Sequence, residues 1–440
     1  MSRTPPADRA EVVFADFKPA FTKAQAVTEA NRCLFCLDAP CITACPTGID
    51  IPQFIRKIAT DNLRGSAKTI FDSNILGMSC ARVCPVEVLC VGDCVYNRMG
   101  QPPIQIGKLQ RYATDIAFEE GWQFYEAGEP TGKKVALIGA GPATLACAHR
   151  LRRFGHEVVI FEKRTWVGGL NTTGVAPYKM KADRSVEEAD WVLQIGGIDI
   201  RHGVEVGKDI SFADLERDFD AVFLGIGLGP DNHLGIPGED LSGVIGAVDF
   251  IERFKLENLD LQDIRKAVVV GGGNTALDAV RELMGLGIRD VTMVYRGTEA
   301  GMSGYQHEWK AGKLEGVHGA WQTQPTAYVG ANGHVTGVSC VKLDDKKQPI
   351  AGSEHTIAAD LVLVAIGQAK LLSDLAALDG IRMDRSRVLI DMDGFTGRPK
   401  WYAGGDLANG GKEVVNAVAE GRDAALAIHA FIASTKGESA

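Results

Sequence analysis

Lys134-Val-Ala-Leu-Ile-Gly139-Ala-Gly141-Pro142-Ala143-Thr144 opens the stretch on which the fold turns. Five mostly apolar residues predict a buried strand, and Gly139-x-Gly141 predicts a tight turn. Ala143–Phe154 then has helical spacing, and Glu157–Glu162 predicts a second strand ending on an acid. Strand, glycine turn, helix and strand within about 30 residues is the dinucleotide-binding βαβ grammar. Thr144 stands where the fingerprint has its third glycine, which serves helix–strand packing. The first two glycines let backbone approach a pyrophosphate at the helix N-terminus. Glu162 is placed to accept ribose hydroxyls.

The same grammar returns 132 positions later. Ala267–Val270 precedes Gly271-Gly-Gly273-Asn274-Thr275-Ala276-x-Asp278, followed by a helix to Met284 and a strand at Val291–Tyr295. Asp220–Gly227 and Asp360–Gly367, the latter ending Ala365-Ile366-Gly367, also match each other: Asp, four apolar residues, a small residue, Ile, Gly. The expected fold class is α/β, with two Rossmann-like nucleotide-binding domains preceded by an all-α domain. The expected boundaries are 1–130 for the helical domain, 131–250 and 356–440 for the two parts of the first nucleotide domain, and 251–355 for the second. Helical spacing at Ala24–Asn31, Gln53–Asp61 and Ser66–Ser73, and the Gly128–Gly132 linker, support that division.

Composition bounds the function. The 440 residues are 45% hydrophobic and 23% charged, as in globular proteins. A formal charge of −9 argues against nucleic acid or an anionic membrane as partner. No apolar run approaches the roughly 20 residues of a membrane span, and Met1–Ala10 lacks a signal-like core. A cytoplasmic location is expected.

Eight of the ten cysteines fall between Cys33 and Cys94. Their spacing is Cys33-x2-Cys36-x4-Cys41-x3-Cys45-Pro46, then Cys80-x3-Cys84-Pro85-x4-Cys90-x3-Cys94. Cytosolic chains rarely keep structural disulfides, so this cluster points to metal. Four soft thiolates suit either zinc or an iron–sulfur cluster. Two runs of four beside two dinucleotide units, with proline after cysteine, favour iron–sulfur. Cys147 and Cys340 stand alone and read as small core residues.

Cys33-Leu-Phe-Cys36-Leu-Asp-Ala-Pro-Cys41-Ile-Thr-Ala-Cys45-Pro-Thr-Gly-Ile-Asp-Ile-Pro and Leu76-Gly-Met-Ser-Cys80-Ala-Arg-Val-Cys84-Pro resemble the N-terminal helical domain of the dihydropyrimidine dehydrogenase family. A related domain occurs in small subunits of bacterial glutamate synthase. The resemblance extends over nearly the whole chain. It implies FAD, NAD(H) and two 4Fe–4S clusters. One cluster would take Cys33, Cys36, Cys41 and the distant Cys94. The other would take Cys45, Cys84, Cys90 and Gln110, the last in Ile104-Gln-Ile-Gly-Lys-Leu-Gln110, which leaves Cys80 as a buried spectator. For FAD it implies Gly139, Gly141, Pro142, Ala143, Glu162, Gly169, Leu170, Lys179, Val206, Gly227, Asp406, Val414 and Val415. For the nicotinamide nucleotide it implies Gly273, Asn274, Thr275, Asp278, Arg296, Ala365, Ile366 and Gly367. Ala403-Gly-Gly-Asp406 and the following helix resemble the family's FAD-closing motif.

NADP-dependent members place several basic residues where this chain has Tyr295-Arg296-Gly297-Thr298-Glu299, so NAD(H) is expected. No redox C-x-x-C lies beside a flavin motif, and no His–carboxylate pair stands out, so no residue is expected to be catalytic beyond the cofactors. The implied function is an electron-input subunit that oxidises NAD(P)H through FAD. It would pass electrons through the clusters to an FMN and iron–sulfur partner that reduces uracil or thymine. Asp38-Ala-Pro40 and Gln110 favour this over a glutamate synthase small subunit, which usually has glutamate at the latter position. A stand-alone NAD(P)H–ferredoxin oxidoreductase and a non-catalytic scaffold are the remaining alternatives.

Overall fold

A computed structural model describes residues 4–375 and 378–435. The first nucleotide domain is built on β1 (Lys134–Ile138), β2 (Glu157–Glu162), β3 (Ile198–His202) and β4 (Ala221–Leu224). The second uses β5 (Val244–Gly246), β6 (Lys266–Val270), β7 (Asp290–Tyr295) and β8 (His318–Trp321). An antiparallel layer follows with β9 (Thr323–Ala331), β10 (His334–Lys342) and β11 (His355–Ala358). The chain then makes β12 (Leu361–Val364) and returns to the first domain with β13 (Trp401–Ala403). The two main sheets run β13-β4-β1-β2-β3 and β5-β12-β6-β7-β8. Both are parallel throughout. Their central strands are buried on both faces, which is why they read as unbroken apolar runs.

The two units repeat each other in detail. Asp220 accepts the Lys134 N–H at 2.8 Å, and Asp360 accepts the Lys266 N–H at 2.9 Å, so the same aspartate aligns each adjacent strand. At the turns, Gly139 has φ +85° and lies against the Gly225 carbonyl, while Gly271 has φ +149° and lies against Ala365. A Cβ would meet those carbonyl oxygens at 2.6 and 2.2 Å, so side chains are excluded at both turns.

The structure moves the expected domain boundaries. β5 precedes residue 251 and β12 follows residue 355, yet both hydrogen-bond into the second sheet, with Val362 opposite Val244 and Leu361 opposite Ala267. The second nucleotide domain therefore spans 244–364. Its two connections run side by side, joined by Gly229 N–H to Ala369 O and Ala369 N–H to Pro230 O, both 2.8 Å. Three residues of β5 are too few to carry a periodicity, so this edge was invisible in the sequence.

The N-terminal domain is helical, as read. Its helices span Lys23–Asn31, Ile51–Ala59, Leu63–Ser73, Gly77–Val83 and Ile106–Glu119. Thr22 and Gln25 form a reciprocal capping box, and Asp50 caps the second helix. Residues 9–14 do not belong to this core. Phe14 packs on Phe254, and buried Glu11 accepts the Ala182 N–H, which ties this segment to the nucleotide domains. Among the described residues no helix is long and apolar enough to cross a membrane.

Candidate functional site

One cavity of about 760 Å³ lies where the two nucleotide domains and the cysteine domain meet. The first glycine turn delivers Gly139, Gly141, Pro142 and Ala143 to its wall. Pro142 starts the helix Pro142–Arg153, whose N-terminal N–H groups face this space. Glu162, Gly169, Leu170, Lys179, Val206, Gly227, Asp406 and Val414 also line it, as do Asn274 and Asp278 from the second domain. The other expected residues do not. Val415 is buried outside the lining, and Gly273, Thr275, Arg296, Ala365, Ile366 and Gly367 also lie outside it.

The donor set fits a flavin dinucleotide. Glu162 accepts backbone N–H groups of Ala140 and Arg164, each at 2.7 Å, which fixes its carboxylate at the cavity edge with lone pairs left for hydroxyl donors. Burial pushes Asp406 up to about 6, against the pull of the Lys412 N–H. A carboxylate so desolvated gains from a hydroxyl donor such as a ribityl chain. The helix Val414–Thr435 starts at this wall and aims its positive dipole end at the space.

Sequence reasoning missed a polar clamp between the domains. Lys179 Nζ lies 2.8 Å from Asp278 and 2.7 Å from Glu308. Tyr178 donates to Asp278, and Tyr305 donates to Glu413 at 2.7 Å. Burial opposes the charge on Lys179, but the two carboxylates prevail and hold it protonated. Asp278 is thus engaged within the protein as well as lining the cavity. Glu308, Tyr305 and Glu413 carried no motif that could have pointed to them.

The cysteines fall into two groups. Cys33, Cys36, Cys41 and Cys94 surround a small apolar cavity with Ile51, Ile55 and Ile104. Burial pushes Cys41 up to about 12, with Cys33, Cys94 and Cys36 adding to it. Cys90 is pushed up to about 12 by burial and then by Cys45. Cys84 is raised by its hydrogen bond with Cys80, then by burial and by Cys90 and Cys45. The distant Cys94 therefore joins the first run, and Cys45 joins the second. Thiols crowded in apolar surroundings ionise only with a cation among them, which is the chemistry of a thiolate-bound metal centre. Among the described residues no three Cys, His, Asp or Glu close on one point as single-ion ligands do.

Gln110 is 7% exposed, and its amide donates to Gly77 O at 2.7 Å. That bond leaves the side-chain oxygen as the atom able to ligate iron. Cys80 is buried one helical turn before Cys84. Cys147 and Cys340 are buried apart from both groups.

Val83 and Pro85, on either side of Cys84, line the large cavity. Beside them, Glu188 accepts N–H groups of Met78 and Ser79 at 2.8 and 3.1 Å, and Asn171 donates to the Ser79 hydroxyl at 2.8 Å. The cysteine helix Gly77–Val83 is thereby fixed to the flavin domain.

At the nicotinamide end, the Tyr295 ring closes over Gly272, and Arg296 is exposed. Glu299 is paired with Lys313 at 2.5 Å, which holds its carboxyl below the usual range.

Residues 9–122 match the dihydropyrimidine dehydrogenase domain II, 4Fe-4S cluster family, and residues 133–421 match the pyridine nucleotide-disulphide oxidoreductase family. The glutamate synthase [NADPH] small chain of Escherichia coli K12 is 35% identical over 94% of this chain and 93% of its own length. The NAD-dependent dihydropyrimidine dehydrogenase subunit PreT of Escherichia coli O157:H7 is 36% identical over 95% and 97%. The solved structure of thioredoxin reductase from T. acidophilum has a TM-score of 0.55 at 23% identity, over 68% of this chain and 98% of its own. That similarity is one of fold.

Proposed function

The chain belongs to the pyridine nucleotide-disulphide oxidoreductase family, with a 4Fe–4S domain of the dihydropyrimidine dehydrogenase type ahead of it, and from that premise we propose that it is the electron-input subunit of a heteromeric NAD-dependent dihydropyrimidine dehydrogenase. It is a flavin and NAD(P)H oxidoreductase with an iron–sulfur domain. The finer reading rests on one observation. The same cavity is lined by Asn274 and Asp278 of the nicotinamide loop and by Val83 and Pro85, which flank Cys84.

FAD, when bound, accepts hydride from the nicotinamide, and two 4Fe–4S clusters carry the electrons singly. The protein's part is to order these groups. The Cys45, Cys84, Cys90 and Gln110 site adjoins the flavin cavity. None of Cys33, Cys36, Cys41 and Cys94 lines that cavity, and the first three flank a segment where Leu37 is 96% exposed. A cluster held there would be the one open to a partner's acceptor. Lys179, held by Asp278 and Glu308, keeps the nicotinamide domain against the flavin domain. On this reading pyrimidine reduction falls to a partner subunit, as the likeness to chains named as subunits supports.

A glutamate synthase small subunit is the second reading, favoured by 35% identity to such a chain. Anaerobic assays with co-expressed partners separate the two. The chain alone should reduce ferricyanide with NADH and form no dihydrouracil, and the pyrimidine partner should confer uracil reduction. Glutamate formation from glutamine and 2-oxoglutarate with a large subunit would favour the second reading. Arg296 is the sole basic residue of Tyr295–Glu299, and so NADH should exceed NADPH in kcat/KM by about tenfold or more. A preference for NADPH would overturn that part.

A further inference from the structure

Cys45-Pro46-Thr47-Gly48 forms a turn closed by Gly48 N–H to Cys45 O at 2.8 Å. The backbone alone completes this turn, so it does not need the Thr47 side chain. Thr47 is nevertheless 2% exposed, and its Oγ1 lies 3.2 Å from Cys45 Sγ. A thiolate that binds iron carries no proton, so in the loaded site the hydroxyl must be the donor. The Thr47 carbonyl is held in turn from the flavin domain. Arg422, on the helix Val414–Thr435, donates from one nitrogen to Thr47 O at 2.7 Å and to Ser73 O at 3.0 Å. One guanidinium thus fastens the cysteine loop to the helix that starts at the flavin cavity wall.

We propose that the Thr47 hydroxyl sets the reduction potential of the cluster bound by Cys45, and that Arg422 is the positioning residue that holds it there. The inference rests on the reading that Cys45 is a 4Fe–4S ligand. Reduction adds negative charge to the cluster and its sulfurs. An O–H donor to a ligand sulfur stabilises the reduced state more than the oxidised one, and raises the potential. Burial strengthens the effect, since little water competes for the sulfur. Arg422 is itself paired with Asp423 at 2.8 Å, so it acts by holding Thr47 rather than by net charge.

The test is a potentiometric titration, followed by electron paramagnetic resonance, of the full chain purified anaerobically with its clusters. In Thr47→Val the reduced-to-oxidised ratio of one cluster at fixed potential should fall about tenfold, equivalent to about 59 mV for one electron. The other cluster should not move, and iron content should be unchanged. Thr47→Ser should restore the wild-type ratio, and Arg422→Met should give a smaller fall in the same cluster. If Thr47→Val loses that cluster, Thr47→Ala, which removes the hydroxyl without a branched replacement, carries the same expectation. Unchanged potentials in a hydroxyl-free variant, or loss of the cluster in Thr47→Ser, would overturn the proposal. Absence of any 4Fe–4S signal from the wild-type chain would instead sink the reading on which it rests.

Discussion

The outer cysteine group, Cys33, Cys36, Cys41 and Cys94, and the inner group, Cys45, Cys84 and Cys90, are made from the same short spacings but are held differently. Three of the outer thiols come from one loop, and Arg56 stacks on Phe35 at 4.7 Å within it. Phe35 has φ +49°, so the loop is held in a conformation rare for a phenylalanine. Burial raises the Cys33 thiol, with Arg56 near enough to oppose the rise in part, and Arg32 interacts with Cys94. The outer group is therefore braced locally. The inner group is braced by the flavin domain, through Arg422 to Thr47 and through Glu188 and Asn171 to Ser79. A local brace can fail without disturbing the flavin site, whereas a brace shared between domains cannot.

The strongest way to break this comparison is Cys94→Ser. If Cys94 closes the outer group, the chain should fall from about eight to about four iron atoms. Flavin reduction by NADH should stay within twofold, while delivery to a protein acceptor should fall at least about a hundredfold, as the exit site is gone. Loss of all iron, or of flavin reduction, would show that the two groups are not independent. Metal analysis and stopped-flow absorbance give both numbers.

Gln110→Ala compared with Cys80→Ser sharpens the membership of the inner group. Gln110→Ala should alter the resonance spectrum of one cluster and leave the other intact, and Cys80→Ser should retain both. The reverse pattern would make Cys80 the ligand. The structure keeps this contest open to measurement, because buried Cys80 sits beside Cys84 and Gln110 is anchored close by on Gly77.

The smallest expected effect tests the shared brace through pH. Burial raises the Glu188 carboxyl to about 7, against the hydrogen bonds from Ser79 and Met78. An acid whose folded value exceeds its unfolded value of about 4.3 contributes stability in full below that unfolded value and loses it as pH rises through 7. Glu188→Gln should therefore flatten the decline in melting temperature between pH 5 and 8, by the equivalent of about 2–3 kcal/mol at most. The wild-type slope surviving in Glu188→Gln would remove Glu188 as its cause.

Several of these features were legible in the sequence, and others were not. Lys134–Ile138, Gly139-x-Gly141 and Glu162 announced their strand, turn and acid, because a βαβ unit is specified within about 30 neighbouring residues. The paired Asp220 and Asp360 segments announced the repeat, and the structure gives them the same hydrogen bonds. Thiol spacing announced a metal centre, and the family resemblance supplied the interleaving of Cys94 with the first run. The clamp of Lys179 with Asp278 and Glu308 was not legible, since its members come from three elements up to 129 residues apart and follow no local period.

The sequence by itself determined the two dinucleotide units, the helical cysteine domain and the class of chemistry, all of which depend on short-range patterns. Only the tertiary structure decided where the second domain begins and ends, which thiols face one another, and which residues tie the cysteine helix to the flavin domain. These depend on strand pairing and side-chain approach between distant segments. The sheet edge at Val244–Gly246 and the Arg422 to Thr47 bond, 375 residues apart, are cases in point.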